Sequence, residues 1–407
     1  MTDPTVLRAP SFRLPPGERV GNPNIPPAVL LLLALLALTA CGKPDFPQYP
    51  PNYREYAYVT NGESSTVTVL DVVNVRIDRE VPVGPNPVAV AASPTRNEVY
   101  VVNSGTETSS GSISVIDAEK NTVAATISLH RKPVSIDLNA AGTRAYITNS
   151  ESNSVSVIDL KARQEIAQIG AGEEPVAARI ASDGKTLVVA NRRGNSVSII
   201  DVAARTVRSI FDGCPGADDV VILPDSSKAF VACSAGHQVM VIALANAESK
   251  PAQPDRLESL LDVGRGPVHL ALKPDGGEVF VSNSLGDSVS EIYANTDEVA
   301  GATMIGDDPV RGLVSSDNAL LYVANFRSQY VTIYSIEDGR RLPLSMTPHV
   351  GDGPVALAFS SSGYLLFVVD NRSSDVAVVR TPTRSLFTIL STGRAPNAIA
   401  VKSFKLP

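Results

Sequence analysis

Short runs of alternating apolar and polar residues follow one another along most of the chain. Four of them share the form Ser/Thr-x-Ser/Thr-x-x-Asp, and these are Thr66–Asp71, Ser112–Asp117, Ser154–Asp159 and Ser196–Asp201. A period of two places successive side chains on opposite faces of an extended strand. No long stretch has the period of an amphipathic helix. The pattern therefore predicts an all-β fold.

A second kind of strand ends in a polar residue and recurs at intervals of about 44 residues. Its eight copies are Tyr58–Asn61, Tyr100–Asn103, Tyr146–Asn149, Val188–Asn191, Phe230–Cys233, Phe280–Asn283, Tyr322–Asn325 and Phe367–Asp370. Strands introduced by Gly-x-x-Pro, as at Gly84–Pro87, precede these copies, and an alternating strand and a weaker outer strand follow them. Units of this length with four strands are typical of β-propeller blades.

The two ends of the repeat are complementary. The strand that follows Gly-x-x-Pro is the inner strand of each blade. The repeat begins at Glu55 without an inner strand and finishes at Arg394–Ser403 with an inner strand alone. We therefore predict a single closed β-propeller of eight four-stranded blades, in which the C-terminal strand joins the N-terminal blade. Such closure removes the unpaired sheet edges that would otherwise promote aggregation.

The strand ends of the form Tyr-Val-Thr-Asn resemble those of the YVTN β-propeller-repeat family over residues 55–403. The resemblance implies a bacterial or archaeal surface or envelope protein, close in fold to the lactonase-like propellers. Because relatives of this kind often have seven blades, seven is the alternative to eight. The fold alone leaves the function open, since one fold hosts many functions.

The first 40 residues are predicted to be an export signal. Ala28–Ala40 is apolar but too short to span a bilayer, which needs about 20 residues. The following Cys41-Gly42 resembles a bacterial lipoprotein signal, which implies a lipidated Cys41, most simply in the outer membrane; a plain secretory signal is the alternative. Residues 41–54 are then a Pro-rich tether, and residues 55–407 form the propeller.

Composition narrows the possible functions. The 407 residues carry a net charge of −7, which disfavours nucleic-acid binding. With three cysteines and four histidines, the chain has few side chains of the types that usually bind transition metals, and no haem-attachment motif is present. We therefore expect no cofactor, no metal and a monomeric protein.

Two cysteines occupy repeat positions that lie close together in a hairpin. Cys214 stands where Gly172 stands one repeat earlier, and Cys233 stands where Asn191 does. Because the start of the inner strand and the end of the next strand share one edge, we predict a structural disulfide between them, which oxidising conditions outside the cytosol would favour. Two separate buried thiols are the alternative.

Three consecutive inner strands break the rule that small residues line the axis of the ring. The second residue after the Pro position is Asp219, His269 and Arg311 there, where the other blades have alanine or serine. We predict that these residues form a polar cluster at the channel mouth. It would either bind an anion or substrate, or be a set of buried groups that satisfy one another.

The loops on one face of the ring are polar and variable, which is typical of recognition surfaces. Their arginines are Arg192, Arg193, Arg327 and Arg372. We expect a lipid-anchored envelope module that binds a protein, peptide or glycan at this face. The alternative is a lactonase-like hydrolase with a site at the channel mouth, although no catalytic residue can be assigned because no nucleophile motif is present.

Overall fold

Alternating sequences form strands throughout the chain. The computed structural model describes residues 46–245, 253–336, 343–347 and 349–407. These residues contain eight antiparallel sheets of four strands each and only two short 3₁₀ helices. The predicted all-β propeller is thus confirmed with eight blades, and the seven-bladed alternative is wrong. Cys41 lies outside the described residues, so its lipidation stays a prediction.

The strands of the first four blades follow the order of the chain. Blade 1 has β1 (Tyr53–Asn61), β2 (Thr66–Asp71) and β3 (Arg76–Pro82), and blade 2 has β4 (Pro87–Ala92), β5 (Glu98–Asn103), β6 (Ser112–Asp117) and β7 (Thr122–Ser128). Blade 3 has β8 (Pro133–Leu138), β9 (Arg144–Asn149), β10 (Ser154–Asp159) and β11 (Gln164–Gly170), with a 3₁₀ helix at Ser150–Ser152. Blade 4 has β12 (Pro175–Ile180), β13 (Thr186–Asn191), β14 (Ser196–Asp201) and β15 (Thr206–Asp212).

The remaining blades repeat this order. Blade 5 has β16 (Ala217–Ile222), β17 (Lys228–Cys233), β18 (Gln238–Ala243) and β19 (Arg256–Asp262), and blade 6 has β20 (Pro267–Leu272), β21 (Glu278–Asn283), β22 (Ser288–Tyr293) and β23 (Glu298–Met304), with a 3₁₀ helix at Ser284–Gly286. Blade 7 has β24 (Pro309–Val314), β25 (Leu320–Asn325), β26 (Val331–Ser335) and β27 (Pro343–Met346). Blade 8 has β28 (Pro354–Phe359), β29 (Leu365–Asp370), β30 (Asp375–Arg380) and β31 (Ser385–Ser391), and the last strand is β32 (Pro396–Lys405).

The ring closes through the last strand. The sheet of blade 1 has the order β3-β2-β1-β32, and Tyr58 of β1 is paired with Ala400 of β32. Each inner strand also contacts the inner strand of the next blade, and β32 lies between β28 and β4. The strand β1 begins at Tyr53, two residues before the predicted start of the propeller, because β32 extends to Lys405 and pairs with it there.

The hydrophobic core lies between neighbouring sheets. At the junction of blades 1 and 2, Tyr58, Val67 and Val69 pack against Val99 and Val101, and all five are fully buried. Burying a side chain of this size contributes roughly 1.5–3 kcal/mol to stability. Comparable clusters occupy other junctions, so the second and third strands of each blade supply most of the core.

In six blades the second strand ends in an asparagine whose side chain joins two strands of the blade. Asn61 Nδ2 donates hydrogen bonds to the hydroxyl groups of Thr66 and Thr68, at 3.0 and 2.9 Å. Asn191 bonds in the same way to Ser196 and Ser198, five and seven residues later, and Asn103 to Ser112 and Ser114, nine and eleven residues later across a longer loop. The asparagine therefore fixes the loop by a side-chain amide between strands, while left-handed backbone appears four residues later, as at Asn195 (φ 49).

Blade 8 departs from this arrangement. Asp370 stands in place of the asparagine and is fully buried, and Asp375 and Ala377 stand in place of the two hydroxyl residues. Asp370 and Asp375 are directly opposite each other in the strand pair. Burial, together with the neighbouring Asp375 carboxyl, raises the pKa of Asp370 to about 8. Blade 8 thus holds two carboxyl groups where six other blades hold an asparagine amide with one or two hydroxyl partners.

The 3₁₀ helices of the described residues are far shorter than a membrane-spanning helix, and none of them could cross a bilayer.

Candidate ligand site in the central channel

The inner strands enclose a channel along the axis of the ring, with a volume of about 600 Å³. Most of its wall is made of small and aliphatic side chains, which are Val88, Ala89, Val134, Val176, Ala177, Ala356 and Ala398. Ser135 and Asn397 add uncharged polar groups, Asp218 lines the channel beside Asp219, and one side of the wall is formed by Arg179, Asp219, His269 and Arg311. These four residues come from four consecutive blades, so the channel is chemically one-sided.

The structure brings the three predicted channel residues together. Asp219, His269 and Arg311 lie on β16, β20 and β24, which are neighbouring inner strands. His269 Nε2 is 3.7 Å from Asp219 Oδ2, and the backbone N–H of Leu270 donates to the same oxygen at 3.1 Å. Both side chains are largely buried. The three-residue cluster is therefore a real feature of the channel wall.

Arg179 is the member of the cluster that the sequence interpretation missed. Its Nη2 lies 3.4 Å from Asp219 Oδ1, and its Nη1 donates to the backbone carbonyl of Ala178. Arg179 is four residues after the strand-initial Pro175, a position that is Asp137 in blade 3. Arg179 could therefore have been recognised from a second repeat position, two residues further along the inner strand, which is charged in blades 3 and 4.

His269 is neutral at physiological pH. Burial first, and then the nearby Arg311 charge, lower its pKa to about 3. The backbone N–H of Gly312 donates to His269 Nδ1 at 3.2 Å, so the ring proton is on Nε2, which faces Asp219. Both ring nitrogens are thus directed at protein groups, and neither is free to take a proton from a ligand.

Asp219 is an ionised carboxylate held in a positive environment. Burial opposes its ionisation, but His269, Arg179 and Arg311 together lower its pKa below the usual range. Since His269 is itself uncharged near pH 7, the two guanidinium groups account for the charge balance there. The cluster therefore contains two cations and one anion.

Arg311 makes no hydrogen bond or ion pair with any residue of the described segments, and its guanidinium lines the channel. Burial lowers its pKa, yet a guanidinium stays protonated in proteins. Asp219 interacts with it electrostatically without a direct contact. The guanidinium of Arg311 therefore has N–H donors without a partner among the described residues, and it lines the space that a ligand in the channel would occupy.

The four loop-face arginines are each engaged with an acidic neighbour. Arg192 contacts Asp218, and the other pairs are Arg193 with Glu174 at 3.5 Å, Arg327 with Asp308 at 3.3 Å and Arg372 with Asp352 at 3.8 Å. Arg372 also lies over the Phe326 ring, 4.3 Å from its centroid. Arg192 also lies 3.9 Å from Glu174, so Arg192 and Arg193 share that acid, and the charge of each of the four arginines is opposed by a neighbouring carboxylate.

Cys214 and Cys233 form a disulfide, with their Cα atoms 4.8 Å apart and both side chains fully buried. One blade earlier, the two equivalent residues touch without a covalent bond, because a Cβ added to Gly172 would lie 2.7 Å from Asn191 Nδ2. The disulfide therefore replaces the glycine–asparagine contact of the other blades.

Replacing both cysteines by serine should lower the stability of the protein by roughly 2–4 kcal/mol, since the bond closes a loop between residues 19 positions apart. The pair Cys214→Gly with Cys233→Asn should recover part of this loss, because it restores the contact seen in blade 4. Urea unfolding measures both effects. Alkylation of Cys214 and Cys233 without prior reduction would contradict the disulfide.

Among the residues that the structure describes, no group of three or more His, Cys, Asp or Glu side chains is placed to hold a metal ion.

Comparison with known proteins agrees with this architecture. Residues 215–402, which include Asp219, His269 and Arg311, match a family described as lactonase, 7-bladed beta-propeller. The chain is similar to the lactonase-like propellers. It differs from the family description in having eight blades. None of the curated proteins compared with this chain matches it in sequence.

Several solved structures share the fold. Dihydro-heme d1 dehydrogenase NirN in complex with DHE has a TM-score of 0.66 and 15% identity, over 89% of this chain and 78% of that chain. A putative 6-phosphogluconolactonase from Bacteroides uniformis has a TM-score of 0.60 and 15% identity, over 86% and 100%. Hydrazine synthase of Kuenenia stuttgartiensis has a TM-score of 0.54 and 21% identity, over 69% and 92%. At these identities the similarity extends to the fold alone.

Proposed function

We propose that this protein is a binding protein of the bacterial cell envelope whose central channel takes a small anionic molecule. The observation that carries the proposal is Arg311, a guanidinium that lines the channel and has no hydrogen bond or ion pair with the residues described. A buried cation without a bonded partner is costly, so an anion is the ligand it favours.

The rest of the channel indicates what kind of anion would fit. Carboxylate and phosphate groups match the planar fork of a guanidinium in a two-point hydrogen bond. Asp219 is next to Arg311 and could accept a hydrogen bond from a ligand hydroxyl, while most of the remaining wall is aliphatic, with Ser135 and Asn397 as its uncharged polar residues. The volume of about 600 Å³ suits a compact organic acid or a sugar phosphate.

Lactone hydrolysis at the same channel mouth is the second candidate, and it is favoured by the match of residues 215–402 to the lactonase family. Hydrolysis would need a group that activates water. His269 cannot serve in the arrangement described, because Gly312 occupies Nδ1 and the proton on Nε2 faces Asp219. Binding therefore has stronger support from the geometry than catalysis has.

The predicted lipid anchor at Cys41 and a protein or glycan partner at the loop face belong to the same proposal. The anchor rests on the apolar Ala28–Ala40 segment and the cysteine that follows it. The loop face rests on its polar and variable sequences, together with the exposed side chain of Arg372 over Phe326. An anchored monomeric ring would hold the channel at the envelope without itself entering the membrane.

Replacing Arg311 with alanine should weaken the binding of 6-phosphogluconate by about tenfold or more, because the donor that faces the channel is lost. Isothermal titration calorimetry on the protein without residues 1–41 measures the change. Arg327→Ala is the matched control, since Arg327 lies on the loop face and is already paired with Asp308. It should leave the affinity unchanged.

Unaltered affinity in Arg311→Ala would contradict the channel site, and a failure of the wild-type protein to bind either 6-phosphogluconate or phosphate would contradict anion binding altogether. Adding 6-phosphogluconolactone to the wild-type protein tests the second candidate. Acid release faster than in buffer, lost in Asp219→Asn, would establish hydrolysis in place of simple binding.

A further inference from the structure

A network of four side chains joins blades 2 and 3. Arg96 belongs to blade 2, and it donates from Nη2 to the Tyr100 hydroxyl at 3.0 Å and lies 3.4 Å from Glu98 Oε2 through Nε. Arg163, in the turn between β10 and β11, donates from Nη2 to Glu98 Oε1 at 2.9 Å. The hydroxyl of Tyr100 donates to the other oxygen of Glu98 at 2.7 Å. Arg163 has left-handed backbone, with φ 54, which directs its side chain from the turn towards the neighbouring blade. One tyrosine, one glutamate and two arginines thus satisfy one another.

The junction of blades 7 and 8 has the same framework without its central acid. Tyr322 corresponds to Tyr100, and Arg384, with φ 53, corresponds to Arg163. The position of Glu98 is taken by Leu320 and that of Arg96 by Asn318. Neither the Arg384 guanidinium nor the Tyr322 hydroxyl forms a hydrogen bond or ion pair within the part of the chain that the structure describes.

A cleft of about 450 Å³ opens at this junction. It lies on the face of the ring opposite the loop face, between the turns that precede the second strands of blades 7 and 8 and the turn that follows the third strand of blade 8, and it shares no lining residue with the channel. Its apolar wall is Leu320, Tyr322 and Phe359, whose two rings pack edge to face at 5.3 Å. Its polar wall carries Arg384, Asp317 and a set of hydroxyl groups, which belong to Ser315, Ser316, Ser360, Ser361, Ser362 and Thr381.

We propose that this cleft between blades 7 and 8 binds an acidic sugar, whose anionic group pairs with Arg384 in the place that a glutamate side chain holds between blades 2 and 3. The ligand carboxylate or phosphate would also accept a hydrogen bond from the Tyr322 hydroxyl, as Glu98 does from Tyr100. The Arg384 guanidinium and the Tyr322 hydroxyl, which have no hydrogen-bond partner among the described residues, would then both bond to one group of the ligand.

The remainder of the cleft fits the body of a sugar. The hydroxyl-rich wall offers hydrogen bonds to sugar hydroxyls, and the half-buried ring of Phe359 offers an apolar surface for the carbon face of the ring. Asp317 is ionised, since the Ser315 hydroxyl lowers its pKa, and it can accept further hydrogen bonds. A purely apolar ligand would leave these groups unsatisfied, and a dianion without hydroxyls would use few of them.

The test is calorimetric titration of glucuronate, glucose 6-phosphate and glucose into protein that carries Arg311→Ala, so that the channel guanidinium does not contribute. We expect at least one of the two acidic sugars to bind, and glucose to bind more weakly by about tenfold or more. Adding Arg384→Ala should weaken acidic-sugar binding by a similar factor. The matched control is Arg163→Ala, whose guanidinium is already paired with Glu98, and it should have no effect.

A second variant keeps the test independent of any loss of folding. Leu320→Glu places a carboxylate where blade 2 has one, so it should bond to Arg384 and Tyr322, compete with the ligand and preserve or raise the melting temperature.

Binding of glucuronate alone assigns a sugar carboxylate, and binding of glucose 6-phosphate alone assigns a sugar phosphate. Absence of binding by both, equal affinity for glucose, or unchanged affinity in Arg384→Ala would overturn the proposal.

Discussion

Deleting residues 396–407 should leave the ring open and produce a chain that aggregates or melts far below the full-length protein. These residues include all of β32, which pairs with β1 from Tyr53 to Asn61 and packs between two other inner strands. Without β32, the exposed edge of β1 becomes a template for pairing with other chains, and one wall of the channel is lost. Size-exclusion chromatography and thermal melting followed by circular dichroism measure the outcome.

The control for this deletion removes only residues 406 and 407, which lie beyond the strand and should matter little. A synthetic peptide of residues 394–407 should restore a folded monomer when it is added to the shortened protein, because it can pair with β1 as the native strand does. A shortened chain that is monomeric and melts at the normal temperature without the peptide would show that closure does not stabilise the ring.

Replacing Asp370 with asparagine should stabilise the protein by roughly 2–4 kcal/mol at pH 8. Asp370 is buried opposite Asp375, whereas six of the other blades place asparagine at this position. An asparagine amide removes one of two facing carboxyl groups and can donate a hydrogen bond to Asp375. Adding Ala377→Ser should give a further gain, since it restores the hydroxyl partner found in other blades.

The gain should depend on pH in a defined direction. The pKa of Asp370 is about 8 in the folded protein, above the ordinary value of 3.8 that it regains on unfolding. The folded state therefore retains a proton that the unfolded state releases, and stability falls as the pH rises from about 4 to about 8. Asp370→Asn should remove this slope, so its effect is small near pH 4 and largest above pH 8.

Urea unfolding of the wild type and the variant between pH 4 and pH 9 measures this difference. Asp352→Asn is a suitable control, because Asp352 is an exposed acid of the same blade and its loss should change stability only slightly. If Asp370→Asn destabilised the protein at pH 8, or if its effect did not grow with pH, the two carboxyl groups would have to be stabilised in some other way.

The repeat carried most of the information about the fold. Because each blade has the same strand pattern, the period of the repeat predicted the number of blades. Because the first blade lacks an inner strand and the C-terminus supplies one, the ends of the repeat predicted that β32 pairs with β1, as Tyr58 and Ala400 do. The role of the asparagines was harder to predict. Asparagine is common in turns because it tolerates left-handed backbone, yet here the Asn191 amide bonds between strands and the left-handed backbone occurs at Asn195.

The channel could be predicted only in part. Asp219, His269 and Arg311 could be recognised because each is polar at a repeat position that is otherwise occupied by alanine or serine. Arg179 occupies a different repeat position, two residues later, where blade 3 has Asp137. Whether a polar side chain has a partner depends on contacts between blades, which no single repeat reveals. The cleft beside Leu320 illustrates this, because its missing acid and the arginine that needs it lie about 60 residues apart.

The pairing of β1 with β32 also determines when this protein can become native. The first blade cannot be finished until residue 405 has been synthesised, so the nascent polypeptide has to wait for its last strand before the ring is complete. Contacts between residues so distant in sequence make folding slow. A chain of this design therefore stays incompletely folded throughout translation, which is the state in which a secretion channel could still thread it.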